Sequence, residues 1–199
     1  MRMWTVVWLG LIFALPAKAA PLEASRALLR ALARQGHAQA TLRYSVASGP
    51  GGAPRDVQAT LAVEPPDRAR LDVPATGERI TLRRDGGEWL QPSMKQVVQL
   101  RSRHAVAALQ WWRVLLGDGA GVRERRLPRG GFRLVNTLGP ADSADVWLDR
   151  KGMPARLELP DGSGGHAAYR LTGWRFTRVR GEAAFHLATP PGYVLVDMP

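Results

Sequence analysis

The chain has 199 residues, no cysteine, and 28 Lys and Arg against 17 Asp and Glu, a formal charge of +11. Without cysteine there is neither a disulfide framework nor a thiolate metal site, and no thioether-linked lipid anchor. The length supports a domain that buries about 70% of its unfolded-chain surface.

Residues 1–19 read as a signal peptide. Arg2 supplies the positive start, Trp4 to Leu15 a short apolar core, and Ala17-Lys18-Ala19 the small residues of a cleavage site, a run too short to span a membrane. Residues 20–199 then form a single exported domain, free in the periplasm or secreted. Loss of Arg2 and Lys18 leaves 26 basic against 17 acidic residues, or +9, and lysine remains only at Lys95 and Lys151. Scattered over polar strand faces, this charge reads first as a solvated surface and second as a field that favours anionic membranes or substrates.

Leu22 to Gln35 is an amphipathic helix, with Leu22, Leu29, Leu32 and Ala33 on one stripe, Arg26, Arg30 and Arg34 elsewhere, and Gly36 as its stop. Gln39 to Ala47 alternates Leu42, Tyr44 and Val46 inward against Thr41, Arg43 and Ser45, and the glycine-rich 49–52 stretch turns the chain back. From Asp56 to Leu100, short runs of period two follow one another: Leu61 and Val63, then Ala69, Leu71 and Val73, then Ile80 and Leu82, then Val98 and Leu100. Pro-Pro-Asp, Pro-Ala-Thr-Gly, Asp-Gly-Gly and Gln-Pro-Ser separate them, which is an antiparallel meander with one dry face.

After Leu100 the period changes. Arg103 to Leu116 places Ala105, Ala108, Leu109, Trp112, Leu115 and Leu116 on one helical face, flanked by Trp111 and Val114, and ends at Gly117-Asp118-Gly119. So apolar a helix suits a lid over the dry face. Strands resume over Val122–Leu127, Gly131–Thr137, Ala144–Leu148, Ala155–Leu159 and Ala167–Phe176, with a clear hairpin turn at Asp149-Arg150-Lys151-Gly152, and Phe185 to Val194 closes the chain as an extended apolar segment. The fold class is mainly β (α+β): one strongly curved sheet or half barrel covered by an N-terminal helix and a mid-chain lid helix.

Chemistry is sparse. His37, His104, His166 and His186 lack ligand spacing, so no metal site is expected and each reads as a surface or turn residue. There is no Gly-x-Ser-x-Gly elbow. Asp118 and Glu124 make an acid pair conceivable, but Asp118 between two glycines is better explained as turn chemistry. The 117–121 glycines follow a helix and precede a strand, the reverse of a phosphate loop. An exported destination and the lack of a paired aromatic motif argue against nucleic acid. The expectation is therefore no enzyme and no cofactor. The surplus is apolar: Trp89, Trp111, Trp112, Trp147, Trp174, Phe132, Phe176 and Tyr169 fill an ordinary core or line a ligand-sized cavity.

The signal peptide, the amphipathic first helix, Leu61-Ala62-Val63-Glu64-Pro65-Pro66-Asp67, the Glu78 to Leu90 hairpin, Met94 to Leu100, the mid-chain helix and the closing Phe185 to Asp197 together resemble the LolA-like family of periplasmic lipoprotein carriers. The resemblance implies an unclosed antiparallel β-barrel whose helices form a lid over a hydrophobic cavity for acyl chains. It implies a monomeric carrier of lipid or lipoprotein acyl chains between an inner-membrane donor complex and an outer-membrane acceptor. Without a lipidated cysteine, the soluble-carrier branch fits better than the receptor branch. The carrier proper has an arginine where this chain has Pro65, and Arg68 or Arg70 could replace it only in another strand register. That leaves room for a different hydrophobic cargo, and an RseB-like envelope sensor is the alternative. From shared parity and the helical stripe, Leu61, Val63, Leu71, Ile80, Leu82, Trp89 and Trp147 on the sheet, with Leu109, Trp112, Leu115 and Leu116 on the lid, are the expected cavity residues.

Overall fold

Twelve strands join one sheet in the computed structural model, which describes residues 22–46, 54–83, 85–101, 111–112, 114–116, 121–136, 143–160 and 166–197. The expected signal peptide, the expected 49–52 turn and the 103–110 part of the expected lid helix lie outside the described residues. In chain order the strands are β1 (His37–Val46), β2 (Arg55–Glu64), β3 (Arg68–Val73), β4 (Glu78–Arg83), β5 (Gly86–Gln91), β6 (Gln96–Arg101), β7 (Val122–Arg126), β8 (Phe132–Asn136), β9 (Ser143–Leu148), β10 (Pro154–Pro160), β11 (His166–Thr177) and β12 (Val194–Asp197). Across the sheet the order is β12-β6-β5-β4-β3-β2-β1-β11-β10-β9-β8-β7. The first and last strands of this order do not pair with each other, so the sheet is unclosed.

Every pair is antiparallel except β12 with β6, which run parallel. The expected wholly antiparallel sheet therefore gains a parallel edge, because the tail crosses over before it pairs. The meander from β2 to β6 follows the period-two runs where Pro65-Pro66-Asp67 and the 74–77 stretch become turns, whereas Gly86 and Gly87, expected as part of a turn, open β5. Its side chains line up strand to strand. One inner row runs Ala40, Leu61, Leu71, Ile80, Trp89 and Val98, and the next runs Ala38, Val63, Ala69, Leu82, Gly87 and Leu100. At Gly87 a Cβ would lie 1.9 Å from the Thr81 carbonyl oxygen and 2.9 Å from Leu82 Cδ2, so only glycine lets the leucine fill that row. A third row continues across the other half: Val57, Tyr44, Tyr169, Leu157, Val146 and Phe132. The inner faces of both halves belong to one apolar cluster, which requires the sheet to curl around it.

The N-terminal helix is shorter than its pattern. A 3-10 turn at Glu23–Ser25 precedes α1 (Arg26–Gln35). Ala24, Leu28 and Leu32 form the buried stripe, whereas Ala33 is exposed. The helix packs on β1 and β11. Gly36 ends it at φ +89, its N–H donating to the Leu32 carbonyl at 2.7 Å, and a Cβ there would meet Val179 Cγ2 at 2.2 Å. Glu124 on β7 secures the other end. Its two carboxylate oxygens accept the backbone N–H groups of Glu23 and Ala24, each at 2.7 Å, so two donors that no helical turn could satisfy are paired by a negative charge. Glu124 is thus a docking residue for the helix.

Candidate functional site

The candidate site is the concave face and what fills it. Among the described residues of the expected lid, Trp111, Trp112, Val114 and Leu115 are helical, and the Leu116 N–H donates to the Trp112 carbonyl at 2.9 Å. A lid helix over the whole of Arg103–Leu116 is not seen, and Leu109 lies outside the described residues. The turn that is seen is packed inward: Trp112 is 1% exposed and Leu115 0%, with Trp111 and Leu116 also buried. Trp112 meets Trp174 edge-on at 5.9 Å, Trp174 stacks on Phe176 at 6.4 Å, and the Trp174 indole N–H is fixed by the Pro154 carbonyl at 2.8 Å.

The sheet residues named from the sequence converge on this filling, with one exception. Leu61, Val63, Leu71, Ile80 and Leu82 are buried in the cluster, and Trp89 packs against it half-buried. The Trp89 indole nitrogen is itself buried and has no hydrogen-bond partner among the described residues, leaving one donor at an otherwise apolar wall. Trp147 departs from the expected set. Ala144 and Val146 take the inward parity of β9, so Trp147 points to the outer face, where Arg156 lies 5.1 Å over its ring. Counting its own strand's alternation would have placed it there. Trp174, which meets Trp112, is not among the expected cavity residues, nor are Leu28, Leu32 and Phe176 of the same cluster. A bulge between Gln39 and Thr41, opposite β11, shifts the register, so Leu171 and Trp174 both face inward although their numbers differ in parity.

The outer face carries a second construction. Residues 178–187 form a strap across β1 to β5, and the 3-10 turn Glu182–Phe185 drives Phe185 to 1% exposure. Arg83 Nη1 donates to the Phe185 carbonyl at 2.9 Å and Arg70 Nη1 to that of Ala184 at 3.1 Å. The N–H groups of Arg180 and Leu187 donate to Glu64 and Glu88 at 2.9 and 3.1 Å. Each of these buried carboxylates also has an arginine, Arg68 at 2.8 Å from Glu64 and Arg83 at 2.8 Å from Glu88. Burial would raise Glu88, but hydrogen bonds from Arg83, Thr81 and the Leu187 N–H outweigh it and hold the carboxyl below its ordinary value. His37, expected at the surface, is 2% exposed, with Nδ1 3.3 Å from Glu64 Oε2 and its ring beside Phe185. Burial holds this imidazole below the ordinary histidine value. Arg68 and Arg70 both serve this outer network.

The fold has solved counterparts. An uncharacterized conserved protein from Thermus thermophilus matches 89% of this chain and 100% of its own, at TM-score 0.51 and 17% identity. A LolA superfamily protein from Nitrosomonas europaea matches 82% of this chain and 97% of its own, at TM-score 0.45 and 11% identity. A DUF1329 family protein from Desulfovibrio piger covers 83% of this chain and 98% of its own, at TM-score 0.47 and 10% identity. At these identities the likeness is one of fold, and function has to be argued from the site. Neither a family model nor a curated protein matches the sequence.

Proposed function

We propose that the mature chain is a periplasmic lipid-binding protein that holds the acyl chains of a lipoprotein or another lipid against the concave face and carries them toward the outer membrane. It does so by binding alone, without bond chemistry. The observation that carries this reading is the filling of the sheet by a short helical turn rather than by another strand. Trp111, Trp112, Leu115 and Leu116 depend on one backbone segment, so they leave together and open a single apolar space.

The magnitudes make the exchange reversible. Burying a long acyl chain at roughly 0.8 kcal/mol per methylene gives on the order of 10 kcal/mol before association costs. Displacing four large apolar side chains, at about 1.5–3 kcal/mol each, takes back a similar amount. Cargo is then held across water yet released when the turn returns. The unpartnered Trp89 N–H supplies one polar contact for an ester or amide carbonyl, and a satisfied donor there recovers about 1–3 kcal/mol.

Mass spectrometry of molecules extracted from protein purified from its native envelope tests the reading. An acyl-bearing molecule at close to one per chain is the expected result. A stoichiometric protein partner with no extractable lipid would favour an envelope sensor instead and would contradict the carrier.

A further inference from the structure

Where β1 runs into β2, beside the start of β11, a cleft of about 600 Å³ is lined by residues of both sheet faces. Tyr44 and Val57 line it from the core side, where Tyr44 meets Tyr169 at 5.5 Å. Arg43, Ser45, Gln58 and Arg170 line it from the outer side. The cleft therefore joins the apolar interior to a basic rim.

The rim has an unusual charge arrangement. Arg43 and Arg170 sit directly opposite each other on neighbouring strands, and Arg170 is in turn opposite Arg156. Like charges in directly opposed positions destabilise a sheet. Arg156 is offset by Glu158, with which it forms an ion pair. Arg170 has neither a hydrogen bond nor an ion pair among the described residues, and the hydrogen bond of Arg43 there is from Nε to Gln58 Oε1 at 3.2 Å. One carboxylate, Asp56, shares the cleft, its Oδ1 held by Ser45 Oγ at 2.6 Å. Two guanidinium groups thus face one engaged carboxylate, and an anion between the arginines would turn their repulsion into two charge-assisted contacts.

We propose that this cleft binds the phosphate-bearing headgroup of an anionic lipid, with Arg43 and Arg170 as its clamp. The placement of the lipid's chains past Tyr44 and Val57 onto the concave face rests on the carrier reading given above. Burial holds the Tyr44 phenol above its ordinary value, so it stays protonated and available as a donor at neutral pH.

The test is calorimetric titration of the mature protein with monomeric dihexanoyl phosphatidylglycerol, dihexanoyl phosphatidylcholine and inorganic phosphate. Wild type is compared with R43Q/R170Q and with R123Q/R125Q, which removes the same charge from the exposed outer face of β7. Wild type is expected to prefer the anionic lipid by about tenfold, as two charge-assisted contacts allow. That preference should vanish in R43Q/R170Q and persist in R123Q/R125Q, with the unfolding temperature lowered in neither variant, since R43Q/R170Q relieves a like-charge pair. Equal loss in the two variants would mean a diffuse basic field and overturn the clamp. Equal binding of both lipids by wild type would overturn the clamp while leaving the carrier reading intact. Arginine-dependent binding of inorganic phosphate without binding of either lipid would overturn the headgroup assignment and the carrier together.

Discussion

His37 and Glu88 are the residues whose roles the chain order hides most. Both sit on strand positions with outward parity, where alternation alone predicts solvent, and both are buried because a strap lies over them that comes 99 residues after Glu88 and later still after His37. Their protonation has a consequence of definite sign. The His37 value in the folded protein lies below the ordinary 6.5 because of burial, so below about that pH the unfolded chain binds the extra proton more readily. Glu88 lies below its ordinary 4.5, its hydrogen bonds outweighing burial, so there too the unfolded chain is the better proton acceptor. Both groups therefore make stability fall as pH is lowered, first from about 6.5 and then more steeply below about 4.5. Urea midpoints measured from pH 8 to pH 4 should decline monotonically, and Glu88→Gln should flatten the lower limb. A midpoint that rises on acidification would contradict this assignment. Glu124 teaches the same lesson about distance: beside Asp118 in the chain it suggests a catalytic pair, yet its partners are backbone groups 100 and 101 residues away.

The strands were legible as elements because proline, glycine and the period-two alternation act over a few residues, and every strand from β1 to β11 except β5 coincides with a run read from the sequence; β5 was hidden by Gly86 and Gly87, which read as a turn. What local pattern could not supply is the path of the tail. Phe185 to Val194 reads as one extended apolar segment, whereas Phe185 is its one buried residue, Leu187, Pro190 and Tyr193 are part-buried, and β12 then pairs at the sheet edge with Val194 and Leu195 more than half exposed. The docking of Phe185 is thus what anchors the strap. It is enclosed by the His37 ring and by Arg68, whose guanidinium carbon lies 5.8 Å from the ring centre. Phe185→Ala should cost about 3–5 kcal/mol, the range for emptying a buried aromatic site. Chemical denaturation followed by circular dichroism measures this, and an unchanged midpoint would mean that the strap adds nothing to the fold. Trp147 departs for the opposite reason: Ala144 and Val146 on its own strand already define the inward face, so the local alternation puts the intervening tryptophan outside.

At the scale of the molecule, one curled sheet has an inner face and, over β1 to β5, an outer face that are covered by different chemistry. The outer face is closed by a strap through paired charges and backbone hydrogen bonds, which are directional and lost as a set. The inner face is closed by aromatic and aliphatic contacts from α1 and from one helical turn, which are non-directional and can be exchanged for other apolar matter. On the proposed carrier reading, that contrast makes the inner cover the movable one. The curvature, the unclosed edge and most of the inner wall were expected from parity and from the family resemblance. The bulge that brings Trp174 under Trp112 was not, since a one-residue shift in pairing leaves no mark in composition. The central claim is that Trp112 and its neighbours occupy space that an acyl chain takes instead. Titration of the mature protein with an environment-sensitive apolar fluorophore, displaced by a long-chain fatty acid, tests it most directly when wild type is compared with Trp112→Ala. The account predicts saturable binding at one site per chain, displaced by the fatty acid, with affinity raised by on the order of tenfold or more in Trp112→Ala because the competing turn is weakened. Weak, non-saturating binding that is the same in both proteins would contradict it.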